Sequence, residues 1–132
     1  MMKEVSWKIT AGINDTPWLA TTKPLKFSPL RKDISTDIAI IGGGISGLTI
    51  AHLLSEKGKK VAVIEDGYLG SGETGRTTAH LSYVLDRNYS ELVKIHGKEK
   101  ARLAAKSHRQ AIDIIEEIIK KENIDCEFER LD

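Results

Sequence analysis

Between Asp37 and Glu65 a short apolar run (DIAII), a glycine-rich turn, a stretch with apolar residues at helical spacing and a second apolar run (VAVIE) follow in order. DIAII is β-branched and nearly all apolar, the pattern of a strand buried on both faces of a parallel sheet. From about Ile45 to Lys57 the apolar positions Ile45, Leu48, Ala51 and Leu54 fall on one helical stripe, and Gly58 is placed as the residue that stops the helix. Val61 to Glu65 then reads as the second strand. A right-handed crossover sets two such strands side by side and parallel. The expected fold class is therefore α/β, a Rossmann-like three-layer unit with a parallel central sheet.

The flanks are patterned differently. Residues Met1 to Lys32 are polar, with Trp7 and Trp18 and all three prolines, Pro17, Pro24 and Pro29. That spacing predicts an extended arm, wrapped over a core and burying its aromatics, with ligand stacking as the alternative. A short helix is expected from Asn88 to about His96, with Ser90 as its N-cap. Lys98 to Glu122 reads as a long amphipathic helix whose stripe is Ala101, Ala104, Ala105, His108, Ile112, Ile115 and Ile119. His108 there reads as a core or edge histidine rather than a ligand. Asn123 ends the helix, and Cys126 to Glu129 (CEFE) reads as the start of a strand. The expected organisation is an arm over 1–32 and a dinucleotide-binding domain over 33–132.

Chemistry enters at the turn. Gly42, Gly44 and Gly47 make GxGxxG directly after the first strand, and Glu65 closes the second strand 23 residues past Gly42. Gly42 permits the tight turn, Gly44 lets a pyrophosphate approach the backbone, and Gly47 allows close packing of helix on strand. The helix N-terminus offers unpaired N–H groups and the positive end of its dipole to phosphate. Glu65 is placed to accept hydrogen bonds from ribose hydroxyls. Strand, turn, helix and acid together describe a site for the ADP half of a dinucleotide, with Gly42, Gly43, Gly44, Ile45, Ser46 and Gly47 in the turn and Glu65 and Asp66 beyond it. An incidental turn in a structural βαβ unit is the alternative.

After Asp66-Gly67 comes GSGETGRTTAH, from Gly70 to His80. It is too small and hydroxyl-rich to build a core, and longer than a connection needs. Backbone N–H groups, the Thr77 and Thr78 hydroxyls and Arg76 suit phosphates and flavin edge atoms, against the plainer reading of a surface loop.

These motifs bear a resemblance. DIAIIGGGISGL, VAVIE and above all GSGETGRTTAH are similar to the N-terminal part of FAD-dependent oxidoreductases of the D-amino-acid oxidase, glycine oxidase and sarcosine oxidase type. The pattern resembles most of all the bacterial amine or γ-glutamylputrescine-type oxidases, some of which carry a C-terminal Rieske domain. PWLAT (Pro17 to Thr21) resembles the leader of those members. The resemblance implies FAD as cofactor and places Gly72, Thr74, Gly75, Arg76, Thr77, Thr78 and Ala79 on the pyrophosphate and flavin side. It implies hydride transfer from a C–N bond of a small amine or amino acid to flavin N5. His80 falls near a position where some relatives attach FAD covalently, but the local pattern differs. The substrate-binding part of such enzymes is expected beyond Asp132, so no catalytic residue is assigned. An NAD-dependent dehydrogenase fragment and a catalytically inactive truncated binding module are the competing readings. The dehydrogenase does not need the GSGETGRTTAH loop.

Bulk properties set the remaining bounds. The 132 residues fit one domain, and 40% hydrophobic with 30% charged residues is an ordinary soluble composition. A net charge of +1 argues for no nucleic-acid or membrane partner. No stretch reaches the ~18–20 apolar residues of a membrane span. One cysteine permits no internal disulfide and no Cys-rich metal or iron–sulfur motif, and no apolar leader core follows Met1, so a cytoplasmic location is expected. An incomplete sheet is expected to leave apolar surface exposed, a basis for self-association.

Overall fold

A computed structural model describes residues 16–23, 25–85 and 88–131. Trp7 and Pro24 lie outside the described residues. The chain divides into two compact units, Met1–Thr78 and Ala79–Asp132.

The first unit is built on β1 (Ile38–Ile41), α2 (Ile45–Glu56) and β2 (Val61–Ile64), preceded by a short helix α1 (Pro17–Thr21). β1 and β2 pair in parallel with Ile38 opposite Val61 and Ile41 opposite Ile64, and α2 packs against both strands. This is the βαβ arrangement that the two apolar runs predict, a mixed α/β unit with a two-stranded parallel sheet, consistent with a Rossmann-like unit; among the described residues one helix layer covers it where three layers were expected.

The ladder is closed at both ends by local bonds. At its start the Lys60 carbonyl accepts from the Asp37 and Ile38 amides, and the Asp37 carboxylate accepts from the Lys60 amide at 2.8 Å. At its far end the Gly42 amide donates to the Ile64 carbonyl at 2.8 Å. α2 ends as Gly58 predicts. Gly58 has φ +73°, its amide bonds to the Ser55 carbonyl, and the Lys59 amide reaches back to Leu54. That pair of bonds is the Schellman motif, which satisfies carbonyls a helix end leaves open.

Burial differs from expectation. In β1 the residues alternate, with Ile38 and Ile40 half-buried and Ala39 and Ile41 exposed, and Ile41 is 89% exposed. Ile40 faces α2, since a Cβ placed at Gly47 would lie 3.3 Å from its Cγ2. A parallel strand loses both faces to solvent-free surroundings only when layers flank the sheet on both sides. Within this unit α2 supplies one.

The arm also differs. Its prolines predict extended backbone, but residues 17–21 form a helical turn with Thr16 as N-cap and Pro17 in the first turn. There the missing N–H of proline removes nothing the helix would have used. Trp18 is 44% exposed rather than buried.

The second unit is a helix pair, α3 (Tyr89–His96) and α4 (Lys98–Lys121). Gly97 alone joins them, at φ +82° and ψ 162°, a conformation open only to glycine. Ala101 is buried, and Ile112, Ile115 and Ile119 lie half-buried along the predicted stripe. His108 is exposed, so it is not a core histidine. The N-cap of α3 is Asn88, and Ser90 lies inside the helix. Asn123 ends α4 with φ +51°, and the Ile124 amide bonds back to the Ile119 carbonyl.

CEFE forms no strand. Glu127 has φ +52°, outside the β region. Instead Arg130 ties the tail to α4 through Asp113 and Glu116. Short apolar-polar alternation needs a neighbouring strand edge, and in this unit the tail meets a helix.

Candidate cofactor site

The site forms at the carboxyl ends of β1 and β2, where the glycine turn, Glu65 and the following loop meet. Gly42 leaves the strand at φ +101°. Gly47 is the tightest point, because an added Cβ would stand 2.0 Å from the Gly42 carbonyl oxygen. The third glycine therefore holds helix against strand, as its motif position predicts. Gly43 is buried, with Leu69 and Glu65 side chains filling the space where a Cβ would project.

Glu65 spans the turn. Its Oε2 accepts from the Gly43 amide at 2.6 Å and its Oε1 from the Gly67 amide at 3.0 Å. These amide bonds, Gly43 first and Gly67 next, hold the carboxyl below its ordinary pKa, against a smaller opposing effect of burial. Glu65 is thus charged at neutral pH. A carboxylate offers about four lone-pair positions, so two bonds to the backbone leave acceptor capacity for a diol.

The loop folds back over the turn. The Gly70 amide bonds to the Gly43 carbonyl at 2.9 Å, and Thr74 Oγ1 accepts from the Ile45 amide at 2.9 Å. A Cβ on Gly44 would come within 3.0 Å of that hydroxyl. Ile45 is the first residue of α2, so Thr74 answers one of the four N–H groups a helix start leaves open. Residues Glu73–Arg76 form a 3-10 turn. Arg76 braces it from within, Nη1 donating to the Ser71 carbonyl at 2.7 Å and to Gly72 at 3.1 Å. Its Nε is buried without a protein acceptor among the described residues.

Gly42 to Gly47, Glu65 and Thr74 are thus gathered at one place. Asp66 and Gly72 are exposed beside them. Thr77 engages through its carbonyl, which accepts from Trp18 Nε1 at 3.1 Å, and Thr78 is exposed. Ala79, at φ +59°, opens the second unit.

Sequence reasoning missed Thr16 and Leu19, which reach this loop from α1. The signal was present: Thr16-Pro17 is a capping residue followed by a first-turn proline, a helix-start signature.

Residues 37–131 match the family of FAD dependent oxidoreductases. The chain belongs to that family. Among its relatives is a Rieske 2Fe-2S iron–sulfur protein of Bacillus subtilis, 37% identical over 86% of this chain and 22% of its own length. The γ-glutamylputrescine oxidoreductase of Escherichia coli is 32% identical over 83% of this chain and 26% of its own. The sarcosine oxidase β subunit of Rhodobacter capsulatus is 38% identical over 50% and 16%. The chain thus spans about a quarter or less of the length of these relatives. No solved structure matches it. Among the described residues no helix is long and apolar enough to cross a membrane.

FAD is the cofactor of this family, and the residues present fit it. Gly42, Gly43 and Gly44 bring no side chain of their own into the turn, the acid at the end of β2 is ionised, and Arg76 keeps an unpartnered buried donor beside the loop.

Proposed function

We propose that this chain holds the ADP half and the near flavin edge of FAD in an oxidoreductase acting on C–N bonds of small amines or amino acids. One observation carries the reading: Glu65, Gly43, Ile45 and Thr74 converge at the carboxyl ends of parallel strands, with the first helical amide already paired to an oxygen. The Thr74 hydroxyl marks where an electronegative oxygen is welcome at the start of α2, and the N–H groups next to it have no partner within the helix.

FAD, when bound, supplies the acceptor for a hydride. The chain's own residues bind and orient. Gly44, Ser46 and Gly47 would present backbone N–H groups to the pyrophosphate, Ile45 would do so in exchange for Thr74, and Gly43, whose amide is held by Glu65, would shape the turn. Glu65 would accept from the ribose, and Gly72 with residues 74 to 78 would line the flavin side. The names of two relatives, which act on γ-glutamylputrescine and on sarcosine, support a small amine as substrate. Groups that orient that substrate are assigned to the part of the relatives' length that this chain does not span.

The test is titration of the purified chain with FAD and with FMN, followed by flavin fluorescence. FAD should bind and FMN, which lacks the adenosine, should bind poorly. Equal affinity for the two, or none for FAD, overturns the reading. An oxidase assay of the relatives' full-length counterpart against primary amines, secondary amines and D-amino acids then separates the substrate classes.

A further inference from the structure

We propose that α1 is a strap that positions the flavin-side loop, with Thr16, Trp18 and Leu19 as positioning residues; this rests on the reading of residues 72–79 as a cofactor loop.

Three contacts carry it, two hydrogen bonds each spanning 59 residues of sequence and one apolar contact. Thr16 Oγ1 donates to the Gly75 carbonyl at 2.6 Å. Trp18 Nε1 donates to the Thr77 carbonyl at 3.1 Å. Leu19 closes on Gly75 so tightly that a Cβ there would stand 2.9 Å from Leu19 Cδ2 and 2.7 Å from the Gly70 carbonyl oxygen. The glycine at 75 is required first by the loop's own Gly70 carbonyl, and Leu19 of the strap packs against the same point. The same Thr16 hydroxyl also caps α1 by accepting from the Leu19 amide at 3.4 Å, so the helix and its grip on the loop form together.

A core-filling role for the arm fits these facts poorly. Trp18 is 44% exposed, and it contributes a directed N–H bond. Residues 25–35 are irregular and open, with Leu25, Phe27 and Leu30 at 67%, 73% and 60% exposure. The strap thus returns to this loop across a long irregular connection whose side chains find little cover, which costs conformational freedom unless the contact has a purpose.

Peptide geometry supplies the purpose. No peptide bond among the described residues is cis. In a trans peptide the C=O and the following N–H point in opposite directions. Turning the Thr77 carbonyl toward Trp18 therefore turns the Thr78 N–H away from α1. The strap fixes the direction in which the loop presents that donor, and fixes it before any ligand arrives, which lowers the ordering cost of binding.

The experiment uses the full chain with Trp18→Phe, Thr16→Val and Leu19→Ala, Thr16→Ser as the conservative control and Glu65→Ala as a site control. FAD affinity and amide hydrogen exchange are both measured. Trp18→Phe and Thr16→Val should each raise the FAD dissociation constant about fivefold, the loss of one ordinary hydrogen bond, and Leu19→Ala should act in the same direction. Exchange in residues 71–78 should quicken by a similar factor while residues 38–64 stay unchanged. Thr16→Ser should behave as the parent. If Glu65→Ala weakens FAD binding and the strap variants do not, the strap falls and the site stands. Exchange that rises equally in strands and loop also overturns it, as a merely structural role would do. If the parent binds no FAD, the cofactor reading falls and the strap's role with it.

Discussion

Gly47→Ala is the sharpest test of how the glycine turn works. The added Cβ would lie 2.0 Å from the Gly42 carbonyl oxygen. An ordinary C···O approach is about 3.3 Å, so helix and strand must separate by roughly 1.3 Å at that point. Neither partner is a flexible side chain, and the Gly42 backbone is itself held by its amide bond to Ile64. Overpacking of this kind costs about 3 kcal/mol at the upper end of its usual range. Alanine recovers about 1 kcal/mol through its better helix propensity. The net expectation is about 2 kcal/mol of destabilisation in the first unit, or about 30-fold faster exchange of the protected amides in residues 38–64 by global opening. FAD affinity should fall as well, because the same separation shifts the start of α2 away from Glu65.

Gly72→Ala is the internal control. Nothing lies within 4 Å of a Cβ there, so the clash met at Gly47 is absent. The same chemical change should leave stability within about 1 kcal/mol of the parent. The assay is hydrogen exchange by mass spectrometry on parent and both variants under identical conditions. A Gly47→Ala chain with parental exchange in 38–64 refutes the steric argument. So does equal destabilisation of the two variants, which would make the effect one of glycine loss in general.

Glu65→Ala should weaken FAD binding by about 1.5–3 kcal/mol through loss of charge-assisted bonds, and FMN binding should not change; equal losses for both would confine Glu65 to tying the Gly43 and Gly67 amides. Because the folded carboxyl titrates below its ordinary value of 4.5, its stabilising effect is present above that pH and is lost as pH falls through the lower folded value. The stability difference between parent and Glu65→Gln, followed by urea denaturation, should therefore shrink on acidification below about pH 4.5, and a difference constant from pH 7 to 3 contradicts the assignment. Gly97→Ala should destabilise the α3–α4 pair by about 1–3 kcal/mol, since φ +82° with ψ 162° is accessible to glycine alone; parental exchange in residues 89–121 would show that the joint relaxes.

Legibility in the sequence followed the range of the forces involved. β1, α2 and β2 were readable because each is decided within its own few residues: β-branched runs for the strands, a 3.6-residue stripe for the helix and Gly58 to end it. The same holds for Asn123, whose left-handed conformation closes α4 by a local bond set. CEFE failed for the opposite reason. Its alternation is a local pattern, but a strand exists only against another strand, and Arg130 instead fastens the tail to Asp113 and Glu116. Of core or edge, His108 is not in the core, because a stripe gives the direction of a face and not how far its cover extends. The helical turn at 17–21 was missed by weight given to three prolines over one capping threonine.

The site shows the same division at finer scale. GxGxxG and the terminal acid are legible because their spacing mirrors a fixed βαβ geometry. What spacing does not encode is how the loop after Glu65 is held. Arg76 reads from sequence as a phosphate ligand, yet its Nη1 is bound to the Ser71 and Gly72 carbonyls. Those two bonds shape the 3-10 turn that carries Thr74, and Thr74 in turn meets the Ile45 amide. The loop's charge thus acts on its backbone, and the backbone sets a neutral hydroxyl at the helix start. Binding a phosphate there is an exchange of one oxygen for another at the Ile45 N–H, not the filling of an unsatisfied donor. Thr74→Val separates the two cases. If exchange governs, removing the hydroxyl leaves the Ile45 amide open, and affinity for inorganic pyrophosphate, read by calorimetry, should rise while the loop loosens. If Thr74 is instead a direct ligand-holding group, affinity should fall, and the exchange argument fails.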